Sequence, residues 1–550
     1  MGNRYHWALL AAALGLTIRL ATAAPPDEPP TRVFLFAGQS NMVGADADAE
    51  RIDDYPEFVG AGAPQKDVLF TYLPEDAQAA VPEWGPLRPR GSFGPELTFA
   101  RRLTSRGCGP LAIIKSAVGG TTVAFDWNPD APEKGQKLYP RTLRLVKEAL
   151  AALDARGVRY RLEGVVWHQG ENDMLDRALC PQYAAGLEKL IGRLRADLAA
   201  PELKWYLAEV SEKGIWGMDH RGQLGILRRE QEKILRADAL VRFVPTSHLA
   251  FEVMGNGQPH YHFGTQGQLQ FGEACADAYL GEIDRETPVA NRRFPDGLPV
   301  APGGRIRLFV LAGQRTMEGE DAHVAGITDH AAFAALAQDQ PTILFRYSLG
   351  GGERTSPDWE PLGPVGFLDS FGPELSFGAR IRAATPPGEG VAIVKFTHSG
   401  AQGPDWSPEG STESHRDLYC RWLDFVRGAR ENLIQRGFDV RIEGIVWTTG
   451  ENDTFFPPYT QQHSALIKDL VARTRADLDQ PQLRWVIAAQ HGKSPWGNVV
   501  AVNEGLEDLT RADAGIVVVD PSRLPYLRAQ YGTEGTLRLG AALAEAFADR

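Results

Sequence analysis

The stretch that decides the fold is Arg32-Val-Phe-Leu-Phe-Ala-Gly-Gln-Ser-Asn-Met-Val-Gly44. Its apolar first half is typical of a buried strand, and the glycine and polar residues that follow favour a turn. The same order returns as Arg307-Leu-Phe-Val-Leu-Ala-Gly-Gln-Arg-Thr-Met-Glu-Gly319. A repeat of this length, far along the chain, indicates that a whole folding unit is duplicated.

Four further blocks recur in the same order in both halves of the chain. The pairs are Phe93–Leu97 with Phe371–Leu375, Ala112–Lys115 with Ala392–Lys395, Arg161–Asp173 with Arg441–Asp453, and Phe263–Gly272 with Tyr531–Gly540. Breaker residues without apolar periodicity concentrate near residues 285–304, where we expect the boundary. We therefore predict two homologous domains, residues 25–285 and 305–550, joined by a linker at residues 286–304.

Within each half, short apolar runs alternate with amphipathic stretches. Strands are predicted at Val33–Ala37, Leu111–Ile114, Gly164–Trp167 and Lys204–Val210, and Arg141–Leu153 has the spacing of a helix. This alternation implies an α/β fold in which helices cover both faces of a parallel sheet. Functional groups of such a sheet gather at the carboxyl ends of its strands.

The composition of the 550 residues restricts the class of protein. A hydrophobic fraction of 43% with 23% charged residues is that of a folded globular chain. The formal net charge of −12, without a basic block, argues against nucleic acid as a partner and favours a neutral substrate. The four cysteines allow one disulfide in the first half, and no Cys or His spacing predicts a metal site.

Residues 1–24 have the features of a signal peptide. Arg4 supplies the positive start, an apolar run covers Trp7–Ile18, and Ala21-Thr22-Ala23 has the small residues of a cleavage site. The run is too short to span a bilayer comfortably, so we expect a secreted or periplasmic protein without stable membrane insertion. An N-terminal anchor is the alternative.

Several residues with catalytic potential follow the predicted strands of the first half. They are Ser40, Gly119, Gly120, Gln169, Glu171 and His262. Ser40 comes directly after the first strand, where it is either a helix cap or a nucleophile. The glycines would let a backbone N–H approach a substrate oxygen, and His262 could act as a general base toward Ser40.

As an ordered set, these motifs resemble the SGNH hydrolase superfamily. The set comprises Gly-Gln-Ser-Asn-Met-x-Gly, Phe-Gly-Pro-Glu-Leu, Gly-Gly-Thr, Trp-x-Gln-Gly-Glu and a late histidine, and it covers residues 31–283. More narrowly, the first half is similar to carbohydrate esterase family six and to sialate O-acetylesterase-like domains. The resemblance implies two tandem flavodoxin-like, three-layer α/β/α domains, and removal of O-acetyl groups from carbohydrates without a metal or cofactor.

The resemblance also implies a role for each candidate residue. Ser40 would be the nucleophile and His262 the general base. The oxyanion would be held by the N–H of Ser40, by a backbone N–H of Gly119 or Gly120, and by the side chain of Gln169. Loss of one such donor typically lowers turnover roughly a hundred- to a thousandfold.

The acid of the triad is where the sequence departs from the family's pattern. Many SGNH enzymes place an aspartate three residues before the histidine, but position 259 here is proline. Some family-six esterases are thought to use the glutamate of Trp-x-Gln-Gly-Glu, so Glu171 is the candidate that would orient His262. His260 stays open as a rival base.

The second copy has lost these groups. The residues aligned with Ser40, Asn41, Gly119, Gln169 and His262 are Arg315, Thr316, Ser399, Thr449 and Gln530. Arginine cannot form an acyl-enzyme, and glutamine cannot accept a proton near neutral pH. We therefore expect residues 305–550 to fold like the first domain but to be catalytically silent, either bracing the active domain or binding saccharide.

Three functions are compatible with the sequence. The first is a carbohydrate O-acetylesterase that works through Ser40. The second is a non-catalytic carbohydrate-binding or scaffolding protein, and the third is a serine esterase or lipase whose substrate is not a sugar. The asymmetry between the copies favours catalysis, since Ser40, Gln169 and His262 are retained together in one of them.

Overall fold

The computed structural model describes residues 29–73, 83–130, 135–253, 260–283, 294–411, 416–495, 497–527 and 529–548. The signal peptide predicted at residues 1–24 and the first part of the linker predicted at residues 286–304 lie outside these ranges. No helix within them is long and apolar enough to cross a membrane.

Seven strands of the first half form one sheet. They are β1 (Thr31–Gly38), β2 (Gln65–Tyr72), β3 (Gly85–Leu87), β4 (Leu111–Ala117), β5 (Tyr160–His168), β6 (Lys204–Ala208) and β7 (Val241–Val244). Their order across the sheet is β3-β2-β4-β1-β5-β6-β7. All four strands predicted from the apolar runs are present, although β6 ends at Ala208 rather than at Val210.

Helices cover both faces of this sheet. They are α1 (Ser40–Val43), α2 (Glu96–Ser105), α3 (Leu138–Ala155), α4 (Glu171–Leu175), α5 (Tyr183–Asp197), α6 (Ile215–Asp219), α7 (Arg221–Ala237) and α8 (Gly264–Ile283). Alternate residues of β1 enter two different cores, Phe34 and Phe36 on the side of α2 and α8, and Val33 and Leu35 on the side of α3, α5 and α7. Because both faces of the strand are buried, its residues are apolar without interruption from Val33 to Ala37.

The second half repeats the architecture. Its strands are β8 (Arg305–Gly313), β9 (Gln340–Leu349), β10 (Arg354–Thr355), β11 (Glu360–Leu362), β12 (Gly390–Thr397), β13 (Asp439–Thr448), β14 (Arg484–Ala488) and β15 (Ile516–Val519), in the order β10-β9-β12-β8-β13-β14-β15 with β11 on β9. Its helices are α9 (Arg315–Glu318), α10 (Glu374–Ala384), α11 (Leu418–Gln435), α12 (Pro457–Asp477), α13 (Val499–Ala512) and α14 (Thr533–Ala548).

The predicted α/β class is confirmed, with one correction to the sheets. The short outer strands β3, β10 and β11 are antiparallel to their neighbours, so both sheets are mixed rather than purely parallel. The central strands of each sheet are parallel, and their carboxyl ends therefore still meet at one edge.

A glycine ends the first strand of each domain because a side chain would collide with the neighbouring strand. Gly38 has φ +147°, and a Cβ there would lie 2.0 Å from the carbonyl oxygen of His168. Gly313 repeats the arrangement, with φ +148° and a Cβ that would lie 1.9 Å from the carbonyl oxygen of Thr448. The tight turn carries the next residues directly to the carboxyl edge of each sheet.

The four cysteines are free thiols. Cys108, Cys180 and Cys275 are buried, whereas Cys420 is exposed. The disulfide that the sequence allows in the first half is therefore not formed in the structure, and packing rather than cross-linking holds the two sheets.

We predict that Gly38→Ala lowers the free energy of unfolding by about 2 kcal/mol or more, because the backbone is held at positive φ against a carbonyl oxygen. Gly192→Ala is the matched control, since an added Cβ at this position inside α5 would meet nothing within 4 Å. Alanine should stabilise that helix by about 0.5–1 kcal/mol. Denaturant unfolding measures both changes, and equal effects would contradict this account of the turn.

Candidate active site

Ser40 is the first residue of α1 and lies directly beyond β1. Its side chain is partly exposed, and a Cβ on Gly119 would lie 3.5 Å from Ser40 Cβ. The structure thus brings the ends of β1 and β4 together. The backbone N–H groups of Ser40, Gly119 and Gly120 make no hydrogen bond to the described part of the chain. These groups can donate to a negatively charged oxygen that forms beside Ser40.

The candidate base His262 is held by a carboxylate that the sequence analysis did not select. Its Nδ1 lies 2.8 Å from Oδ2 of Asp46, and Nδ1 of His260 lies 3.3 Å from the same oxygen. A bond at Nδ1 fixes the orientation of the ring and leaves Nε2 to accept a hydroxyl proton. The shorter contact favours His262 over His260 as the base.

Asp46 lies in the loop that follows α1, with φ +63°. A left-handed aspartate is a strained conformation of the kind that clusters at functional sites. Burial acts to raise the pKa of the Asp46 carboxyl, but hydrogen bonds and charges of His262 and His260 outweigh it, so the pKa lies below its ordinary value. The Asp46 carboxylate therefore stays ionised near neutral pH, and it can stabilise an imidazolium.

Glu171, the triad acid implied by the family resemblance, does not reach His262. It begins α4 and is buried, where its Oε1 accepts a hydrogen bond from Asn41 Nδ2 at 2.9 Å and lies 3.5 Å from Nδ1 of His168. The cause is geometric, because β5 delivers Glu171 to the buried side of the turn after β1. Asp46 occupies the position beside the imidazole that the sequence analysis assigned to Glu171.

Glu171 acts on the site through Asn41. The Oδ1 atom of Asn41 accepts a hydrogen bond from the backbone N–H of Phe263 at 3.1 Å. The series Glu171, Asn41, Phe263 therefore ties the residue after His262 to the residue after Ser40. Both polar side chains hold the segments that carry Ser40 and His262 in register.

Gln169, the predicted oxyanion donor, is engaged elsewhere. Its side chain is fully buried, and Nε2 lies 2.7 Å from the backbone oxygen of Thr121, 2.6 Å from Asp173 Oδ2 and 3.2 Å from Gln39 Oε1. Three acceptors around one NH2 group leave no donor for a substrate oxygen. In this arrangement Gln169 holds the loop after β4, and backbone N–H groups are the donors that remain beside Ser40.

Asp173 completes this buried network. Its Oδ2 accepts hydrogen bonds from the backbone N–H of Val123 at 3.0 Å and from Gln169. Burial raises the pKa of its carboxyl to about 6, because the ionised form is taken out of water. The network thus places a titrating group behind the loop that carries the two glycines.

The equivalent positions of the second domain do not form a nucleophile and base. Arg315, at the nucleophile position, is buried, and its Nε donates to Glu320 Oε2 at 3.0 Å. Gln530, at the base position, accepts a hydrogen bond from Thr316 Oγ1 at 3.2 Å. The other replaced positions, Ser399 and Thr449, are buried.

The acid that sequence reasoning missed carries a signal in the repeat itself. Two residues after the glycine that ends each repeat motif, both copies have an aspartate, Asp46 and Asp321. In the second domain, Oδ1 of Asp321 accepts a hydrogen bond from Gln266 Nε2 of the first domain at 2.9 Å. A carboxylate that both copies retain beside the nucleophile position was the available clue.

A serine, a histidine and a carboxylate at one edge of an α/β sheet form the constellation of a hydrolase. Residues 30–281 and 305–549 match the family described as carbohydrate esterase, sialic acid-specific acetylesterase. The chain belongs to this family, with one copy in each half, and is a carboxylic ester hydrolase.

Similar proteins include a probable carbohydrate esterase of Arabidopsis thaliana, 26% identical over 267 residues that cover 46% of this chain and 92% of that protein. A carbohydrate acetylesterase structure from Xanthomonas citri is 20% identical with a TM-score of 0.33, covering 49% of this chain and 58% of that one. The structure of NanS is 16% identical with a TM-score of 0.34, covering 46% of this chain and 100% of that one.

We predict that Asp46→Asn lowers the esterase kcat by about 10²- to 10⁴-fold, because His262 loses the carboxylate that orients it and stabilises its charged form. Glu171→Gln is the control, since a glutamine oxygen can still accept the hydrogen bond from Asn41. Steady-state hydrolysis of 4-nitrophenyl acetate measures both. A larger loss for Glu171→Gln than for Asp46→Asn would restore Glu171 as the acid.

We also predict a stability effect of Asp173 that depends on pH. Its pKa in the folded state is raised from 3.8 to about 6, so between these values the folded chain binds the proton more tightly than the unfolded chain does. The contribution of Asp173 to stability is therefore lost as pH rises through this window. Asp173→Asn should remove that slope in denaturant unfolding at a series of pH values, and an unchanged slope would refute the assignment.

Proposed function

We propose that the chain is an exported serine esterase that removes O-acetyl groups from carbohydrates, either an acetylated polysaccharide or an acetylated sialic acid, through an acetyl-enzyme on Ser40. The observation that carries the proposal is the Asp46–His262 contact of 2.8 Å at the sheet edge that presents Ser40. Membership of a carbohydrate esterase family supports the substrate class. Residues 1–24 support export.

The proposed reaction has two displacement steps. Ser40 Oγ attacks the carbonyl carbon of the acetyl group while His262 Nε2 accepts the hydroxyl proton. The carbonyl oxygen takes the negative charge and accepts hydrogen bonds from the N–H of Ser40 and of Gly119 or Gly120. The ester C–O bond then breaks, and His262 returns its proton to the sugar oxygen that leaves.

The second step releases acetate. A water molecule attacks the acetyl-enzyme, and His262 again accepts the proton. The acyl C–O bond to Ser40 breaks, the proton returns to Ser40 Oγ, and acetate departs. Asp46 stays ionised in both steps and stabilises the imidazolium that forms each time.

We predict that Ser40→Ala lowers the rate of 4-nitrophenyl acetate hydrolysis by about 10⁴-fold or more, because it removes the hydroxyl that forms the acyl-enzyme in the proposed reaction. Ser105→Ala is the matched control, since Ser105 is an exposed serine at the end of α2 in the same domain. The wild type, Ser40→Ala and Ser105→Ala are also assayed for acetate release from acetylated xylan and from O-acetylated sialic acid.

The outcomes separate the alternatives. Acetate release from a sugar that depends on Ser40 supports the proposal and identifies the substrate. Hydrolysis of the nitrophenyl ester without release from either sugar would favour an esterase of another substrate. A wild type that is inactive on all three, yet binds acetylated saccharide, would replace the proposal with the non-catalytic alternative.

A further inference from the structure

A loop of the first domain fills the edge of the second domain where an active site would lie. The loop connects β6 to α6 and carries Glu212 and Lys213. Lys213 Nζ pairs with Glu320 and lies 3.5 Å from Ser399 Oγ. A Cβ on Gly400 would lie 2.0 Å from Glu212 Oε1. The side chains of Glu212 and Lys213 thus lie in front of Ser399 and Gly400. These two residues stand where the first domain has Gly119 and Gly120.

The replaced residues of the second domain are matched to this loop. Arg315 donates to one oxygen of Glu320 at 3.0 Å, and Ser399 and Lys213 both contact the other oxygen. The side chains of Lys213 and Glu320 are each only 1% exposed. An unpaired charge at this depth would be costly, so the charged and polar side chains at these positions stabilise one another. We call Arg315, Glu320, Ser399 and Gly400 the socket.

Further buried ion pairs hold the loop, and the start of α7 beyond it, against the second domain. Arg221 Nη2 lies 2.6 Å from Asp405 Oδ1 across the interface. Oε2 of Glu212 accepts from Arg228 of its own domain at 2.9 Å and also pairs with Arg416 of the second domain. Burial acts to raise the pKa of Glu212, but the charges of these arginines outweigh it and lower the pKa. The loop therefore remains anchored at neutral pH.

The residues that follow Lys213 support the segment that carries the catalytic histidine. The backbone N–H of Ile215 donates to the carbonyl oxygen of His260 at 3.3 Å. The ring of Trp216 packs against Tyr261 with 4.7 Å between the ring centroids. A shift of the loop would therefore move His260 and Tyr261, the two residues that precede His262.

We propose that the socket of the second domain binds the Glu212–Lys213 loop in place of a substrate, and thereby holds the His260–His262 segment in position for the reaction at Ser40. Its effect on catalysis rests on the proposed function. Of the two roles that the sequence leaves open for the second domain, the structure favours bracing, because Lys213 and Glu212 occupy the place that a saccharide would need. Lys213 and Glu320 are then positioning residues.

The test uses Lys213→Met in the full chain, which leaves Arg315 and Glu320 as a neutral pair. We expect kcat for 4-nitrophenyl acetate to fall by about ten- to a hundredfold, the cost of a small misplacement of a catalytic group, while KM changes little. Glu320→Gln should likewise lower kcat and change KM little. Arg475→Met is the control, because Arg475 pairs with Asp513 inside the second domain, at the opposite end of its strands.

A second readout does not depend on activity. Hydrogen exchange should rise in residues 209–216 and 260–263 of Lys213→Met and Glu320→Gln, and should stay unchanged there in Arg475→Met. Unchanged exchange in both interface variants would overturn the socket, and increased exchange without a fall in kcat would overturn its positioning role. If the wild type shows no esterase activity, the proposed function fails, and the exchange measurement still decides the socket.

Discussion

The hydrogen bond between His262 Nδ1 and Asp46 Oδ2, 2.8 Å long, joins two segments that are far apart in the chain. Asp46 lies in the loop after α1 and His262 lies just before α8, so the bond forms only when these two segments come together. The bond occupies one ring nitrogen and leaves Nε2 to accept a proton. Asn41 clamps the same two segments through the backbone of Phe263. The arrangement of the proposed site thus depends on the turn after β1 rather than on any single side chain.

The same turn in the second domain keeps its glycine but carries a different residue at the position of Ser40. Gly313 still permits the tight exit from the strand, but the residue delivered to the edge is Arg315, whose charge is buried. A buried guanidinium needs a carboxylate, and Glu320 supplies it. Glu320 in turn pairs with Lys213 of the first domain. The arginine at the position of Ser40 is therefore linked, through the cost of burying its charge, to the contact between the two domains.

The fold and part of the site could be predicted from the sequence because they depend on local pattern. The alternation of apolar runs with helical periodicity predicts the parallel strands, and strand ends that meet at one edge bring Gly119 to Ser40. The carboxylate beside His262 is harder to predict. Both copies retain an aspartate at the position of Asp46, but that pattern does not show which carboxylate reaches the imidazole, because this depends on the path of the loop after α1, where Asp46 has a left-handed backbone. Likewise, nothing in the sequence distinguishes Lys213, buried at a domain interface, from a solvated surface lysine.

The most direct test of the central claim is mass spectrometry of the protein quenched in acid during turnover of 4-nitrophenyl acetate. The account predicts an acetyl group on the peptide that carries Ser40, and no acetyl group on the peptide that carries Ser399 of the second domain. The modification should be absent from Ser40→Ala treated in the same way. An acetyl group that forms during turnover on a different residue, with Ser40 unmodified, would contradict the account.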